Sequence, residues 1–185
     1  MSAARSRSLR RPERWGWHRL DDRSARLIVE RAGVRAGEVV VDLGAGTGAL
    51  TSALVDAGAH VVAVERHPER VATLRRRFGD RRVTVVAADV RSLRWPGRPF
   101  RVVANPPWSA AEEIRAGLLR APRLIRADLV LPRWLVHRWA GTSPRIGVGP
   151  SVPAEAFQPP ARTGAAVAVI AGRASAQLTR RGRSR

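Results

Sequence analysis

Residues 39–42, Val-Val-Val-Asp, form an apolar run ending in a carboxylate, and Leu43-Gly44-Ala45-Gly46-Thr47-Gly48-Ala49 follows at once. Three glycines at alternate positions weaken a helix or a strand, yet they suit a tight turn from one into the other. The turn constrains the rest of the chain, because short β-rich runs and helical stretches alternate on both sides of it. Strands are expected at 39–42, 60–65, 82–88, 101–104, 128–131, 146–148 and 165–170, and helices at 22–31, 48–57, 68–78, 109–120 and 133–139. Gly58 suits the position after the second helix, and Pro68 the first turn of the third. Ser109 and Glu112 have the spacing of an S-x-x-E capping box. This rhythm predicts a seven-stranded, mainly parallel, doubly wound α/β sheet. Ligands of such sheets bind beyond the carboxyl ends of the strands.

The glycine turn alone admits two ligand classes. Gly44-x-Gly46-x-x-Ala49, with Glu65 some twenty residues on, satisfies the dinucleotide fingerprint. Asp42, two residues before the first glycine, tilts instead toward S-adenosylmethionine, whose cationic end welcomes a carboxylate. Asp42, Glu65 and Asp89 each end an expected strand and therefore share one rim of the sheet. The Glu65 carboxylate can accept both hydroxyls of a ribose, and Asp89 can accept from a cofactor's adenine amino group. For a single strand-end acid, helix capping explains its place equally well.

Asn105-Pro106-Pro107-Trp108 follows the fourth expected strand. An adenine amino nitrogen is a poor nucleophile because its lone pair is delocalised into the ring. The Asn105 side-chain oxygen and the Pro106 carbonyl can accept its two N–H bonds and draw it toward tetrahedral geometry. The lone pair is then free to attack a sulfonium methyl. The prolines stiffen the backbone, so that the carbonyl is preset. Trp108 offers a flat face to an unstacked base. An ordinary strand-end turn is the alternative, although Asn105 is the one asparagine of the chain.

Charge narrows the partner. Lys and Arg together number 34 against 15 Asp and Glu, a net charge of +19, and every one of these bases is arginine. A polyanion is the expected partner, nucleic acid first. Residues 1–14 and 173–185 read as a basic arm and a basic tail around a 15–172 catalytic domain, long enough for one α/β unit. Four scattered histidines and no cysteine speak against a metal site. The longest apolar stretch, 165–171, is far too short to cross a bilayer, and no signal peptide is evident. A cytoplasmic monomer with no membrane partner is expected.

With these residues in view, the chain resembles the ribosomal RNA adenine N6-methyltransferases, and within them the erythromycin-resistance 23S rRNA methylases in their short actinobacterial form. Gly16-Trp17-His18-Arg19-Leu20 is similar to the family's N-terminal G-Q-[NH]-F-L element, with Trp17 and Arg19 in place of Gln and Phe. The resemblance implies cofactor contacts from His18 and Leu20, besides Asp42, Gly44, Gly46, Glu65, Asp89 and Asn105. It implies catalysis by Asn105 and Pro106 with Trp108 against the base. Phe157-Gln158-Pro159-Pro160 resembles the family's F-x-P-x-P element, which implies that Phe157 joins Trp108 at the base. The fold implied is the Rossmann-like class I methyltransferase domain, here expected to lack the family's small helical C-terminal domain. The function implied is S-adenosylmethionine-dependent methylation of adenine N6 in 23S rRNA, giving macrolide-type antibiotic resistance. Other readings stay open: a DNA adenine methyltransferase, an enzyme acting on glutamine amides of proteins, a non-catalytic RNA-binding protein with a degenerate fold, or an NAD oxidoreductase.

Overall fold

The computed structural model describes residues 19–79, 82–161 and 163–173. Its main sheet is built from β2 (Val39–Leu43), β3 (His60–Glu65), β4 (Val83–Ala87), β5 (Phe100–Ala104), β6 (Leu124–Pro132), β7 (Ile146–Val152) and β9 (Ala165–Ala171). Their order across the sheet is β4-β3-β2-β5-β6-β9-β7. The strands from β4 through β6 run parallel, and β9 lies antiparallel to both β6 and β7. A sheet covered on both faces calls for uninterrupted apolar strands, and every residue of the central β2 and β5 is buried. The doubly wound sheet expected from the rhythm is therefore present.

Among the described residues five α-helices cover the sheet: α1 (Asp22–Ala32), α2 (Ala49–Asp56), α3 (Pro68–Phe78), α4 (Ala111–Arg120) and α5 (Arg133–Ala140). Ile28 and Val29 of α1, Leu50 and Leu54 of α2 and Leu74 and Phe78 of α3 share one core. Ile114 and Leu118 of α4 and Leu135, Val136 and Trp139 of α5 share the other. Helix α1 starts at Asp21, whose carboxylate accepts from the Ser24 backbone N–H at 2.8 Å, and stops at left-handed Gly33. Gly58 and Pro68 take the positions read for them.

Several expectations are corrected. Ser109 and Glu112 form no capping box: α4 is preceded by a 3-10 turn, Trp108–Ala110, and Ala110 caps it without a side-chain bond. Glu112 is drawn away by stronger donors across the helix pair, as set out below. Strand β6 starts four residues earlier than expected, because Arg126 and Asp128 share a face and neutralise one another at 2.6 and 2.8 Å. Strand β7 runs on through Pro150, which an edge strand tolerates beside a bulge. A two-stranded ribbon was not foreseen: β1 (Arg19–Leu20) pairs antiparallel with β8 (Phe157–Gln158). The four strands β3-β2-β5-β6 place the switch in strand order between β2 and β5, so the two motif loops leave adjacent strands at one rim.

Candidate active site

The glycine turn is held by the strand beside it. Gly44 N–H and Ala45 N–H both donate to the Val64 carbonyl, at 2.8 and 3.0 Å, and Gly46 N–H donates to Glu65 Oε2 at 2.9 Å. Gly44, Gly46 and Gly48 all have positive φ, at 73, 59 and 90°, the left-handed region that glycine enters without strain. A Cβ on Gly44 would stand 2.9 Å from Pro107 Cδ, so the turn touches the Asn-Pro-Pro-Trp loop directly. Glu65, almost fully buried, also accepts from the backbone N–H groups of Arg66 and His67, both at 2.9 Å. A pyrophosphate would find the N–H groups of residues 44–46 already bonded, which weighs against the dinucleotide reading.

Asp42 is buried behind this turn and accepts the Thr51 hydroxyl at 2.7 Å. Burial raises its carboxyl to about 7, with the nearby Glu65 charge adding to the shift and the Thr51 hydrogen bond opposing it. A buried carboxyl so poised welcomes a cation, the charge type of a sulfonium amino acid.

An open cleft of about 320 Å³ is lined by Arg19, Leu20, Asp42, Gly44, Gly46, Thr47, Leu50 and Asn105, among others. It brings together residues from the chain's first described strand, the glycine turn and the loop after β5. Of the residues singled out by sequence, Leu20, Asp42, Gly44, Gly46 and Asn105 meet here, and Glu65 reaches it through the Gly46 amide. His18 lies outside the described residues, as do Trp17, the basic arm at 1–14 and the basic tail beyond Arg173. Arg19, Thr47 and Leu50 were not foreseen as lining residues; the only sequence hint was their neighbourhood to the motifs.

Asp89 stands just beyond the end of β4, on the rim where it was expected, with partners that were not foreseen. Its carboxylate accepts from Arg91 N–H at 2.9 Å, capping a 3-10 turn, and stands 3.4 Å from the Arg91 guanidinium and 3.6 Å from that of Arg66. The Arg91 backbone bond, with both guanidiniums, holds it below the usual carboxylate range. Pro106 is buried and Asn105 half-buried, so the loop after β5 is anchored at its first proline. Trp108 is half-buried and meets Phe157 edge to face, with centroids 6.5 Å apart. Phe157 itself is 1% exposed and belongs to the core, so it props Trp108 from behind and offers no free face of its own. Among the described residues no three His, Asp or Glu stand where they could jointly hold a metal, and no helix is long and apolar enough to cross a membrane.

Residues 16–145 match the family model described as ribosomal RNA adenine dimethylase. The chain belongs to the ribosomal RNA adenine dimethylase family. Within curated relatives of this family it is 39% identical over 139 residues to a ribosomal RNA small subunit methyltransferase A of Leifsonia xyli subsp. xyli, covering 71% of this chain and 47% of that protein. It is 35% identical over 156 residues to the protein of the same name from Rhodococcus erythropolis, covering 78% and 52%. The chain thus spans about half the length of the curated relatives it matches. Its fold is similar to that of the 23S rRNA methyltransferase ErmE, with a TM-score of 0.77 at 24% identity over 86% of this chain and 71% of that one. A dimethyladenosine transferase from Plasmodium falciparum gives 0.71 at 18% identity, over 83% and 62%. The domain is a Rossmann-like class I methyltransferase fold, and S-adenosylmethionine is the cofactor of this family. The buried carboxylates behind an uncharged turn fit such a cationic nucleoside.

Proposed function

We propose that the protein methylates the N6 nitrogen of an adenine in ribosomal RNA, using S-adenosylmethionine. The observation that carries the reading is the direct contact of the glycine turn with the Asn-Pro-Pro-Trp loop, with Asn105 lining the same cleft as Asp42 and Gly44. When bound, the cofactor supplies a methyl group on a sulfonium sulfur, which keeps the C–S electron pair as the methyl leaves. Leu20, Gly44, Gly46, Glu65 and Asp42 hold it in this reading, with Asp89 and His18 as further contacts. The Asn105 side-chain oxygen and the Pro106 carbonyl accept the two N6 hydrogens and localise the lone pair toward the incoming methyl. Trp108, braced by Phe157, stacks on the target base. No strong general base is needed, because the N6 proton becomes acidic once the fourth bond forms and passes to water. The unit acting is the domain at 15–172, in the cytoplasm where ribosomes reside.

The motif resemblance favours an adenine of 23S rRNA, whose methylation would confer macrolide resistance. A second target, an adenine of small-subunit rRNA, is favoured by the names of relatives 35–39% identical to this chain. One assay separates them: labelled methyl transfer to protein-free 23S and 16S transcripts, with digestion to nucleosides. Incorporation into N6-methylated adenosine of 23S alone, together with raised macrolide tolerance in an expressing host, is the expected result. Incorporation into 16S alone moves the target to the small subunit. Cofactor binding without transfer to either would overturn the enzyme reading and favour an RNA-binding protein of degenerate fold.

A further inference from the structure

Trp134 is the most exposed large hydrophobic side chain among the described residues, at 60%. A singly exposed apolar residue needs no explanation, but three observations set this one apart. It stands in the first turn of α5, which begins directly at the end of β6. Because β6 runs parallel to β5, that end lies on the same rim as Asn105. The Arg138 guanidinium lies 5.4 Å from the centroid of the Trp134 ring, so one face of the indole carries a cation. Arg138 is in turn fixed by an ion pair with Glu112. Glu112 also accepts from Arg115 at 2.9 Å and from the Trp139 indole N–H at 2.9 Å. These donors outweigh burial and hold Glu112 below its ordinary range. Glu112 sits one turn beyond the Asn-Pro-Pro-Trp loop, so the platform and the loop share one rigid support.

Resting on the RNA reading above, we infer that Trp134, backed by Arg138, is a stacking platform for an unpaired nucleotide of the substrate other than the target adenine. A fixed indole over a guanidinium accepts any base by its π-face, while the arginine excess of the chain meets the phosphates. A partner of this chemistry is single-stranded RNA flanking the methylated base. Trp108 and Trp134 would then hold two different bases splayed along one rim. Splaying of this kind is how single-stranded RNA is read.

The test is equilibrium binding of the full chain to two fluorescein-labelled unstructured RNAs. One carries all its bases, and the other is abasic throughout. W134A should weaken binding to the first RNA by about 5- to 150-fold, the equivalent of one stacked base. It should leave binding to the abasic RNA, the salt dependence and kcat unchanged, while KM for rRNA rises. W134F should restore most of the affinity, and R138A should weaken binding to the fully based RNA less than W134A does. Wild-type affinity of W134A for both RNAs would overturn the platform and leave Trp134 to a protein contact. Wild-type protein that transfers no methyl to any rRNA sinks the RNA reading and the platform with it. Methylation by wild type with unchanged RNA binding by W134A sinks the platform alone.

Discussion

The two halves of the rim are built by opposite chemistry. On the β2-β3 side, carboxylates are buried and their oxygens accept backbone N–H groups and a hydroxyl: Glu65 takes three amides and Asp42 the Thr51 hydroxyl. On the β5-β6 side, aromatic rings stand half or largely exposed and are braced by other rings or by arginine: Trp108 against Phe157, Trp134 against Arg138. The first half is preorganised through backbone N–H groups on buried carboxylates. The second is organised through side-chain contacts between rings and arginine. In the proposed function, a small cationic cofactor and a large polyanionic substrate would each meet the half whose chemistry suits it.

The largest expected effect breaks the seam between them. Asn105→Ala should lower kcat for methyl transfer by about 100- to 1,000-fold, the scale set by loss of one preorganised polar contact to a reacting group. Isothermal titration should find cofactor affinity lowered by no more than tenfold in that variant. An equal loss of both would move Asn105 from the base half to the cofactor half. Next, Glu65→Ala leaves one buried and two part-buried N–H groups without their acceptor and should cost about 2 kcal/mol in urea unfolding. Unchanged stability would mean that the glycine turn is not held through this carboxylate.

Gly44→Ala puts a side chain at φ 73° and within 2.9 Å of Pro107. It should cost about 1–2 kcal/mol of stability from the left-handed backbone. Displacement of the Pro107 ring should add a roughly tenfold loss of kcat, a misplacement effect at the seam. A drop in stability with unchanged kcat would show that the two loops do not depend on their contact. The smallest effect is electrostatic. Burial raises the Asp42 carboxyl in the folded state to about 7, against 3.8 for the free group. The folded state therefore holds a proton that the unfolded chain has released between pH 4 and 7. Stability of the ligand-free protein should fall as pH rises through that window. Asp42→Asn should flatten this slope and raise the melting temperature at pH 8, while weakening cofactor binding. A steep slope retained in the variant would assign the pH dependence to another group.

Most of the cleft on the β2-β3 side was legible in the sequence, because its parts are local. A glycine turn between an apolar strand and a helix, and acids at strand ends, declare themselves within a few residues. Asn105-Pro106-Pro107-Trp108 was equally plain. What stayed hidden depends on partners far along the chain. Glu112 looked like a capping residue because Ser109 lies three positions before it, yet Arg138 and Trp139 of another helix claim it. The two arginines beside Asp89, one of them more than twenty residues away at Arg66, were not foreseen either. Phe157 was placed at the base by resemblance, and its burial makes it a brace. The early start of β6 was masked by the charges of Arg126 and Asp128, whose mutual pairing no local pattern announces.

The β1-β8 ribbon has a consequence for synthesis. Leu20, which lines the cleft, is clasped by Phe157, about 140 residues further along the chain. On a translating ribosome the glycine turn and the Asn-Pro-Pro-Trp loop emerge long before that clasp can close. The nascent chain therefore lacks one wall of its cleft until nearly all of the described domain has left the exit tunnel. In the proposed reading, a chain that acts on ribosomal RNA thus completes its cleft only as it parts from the particle making it.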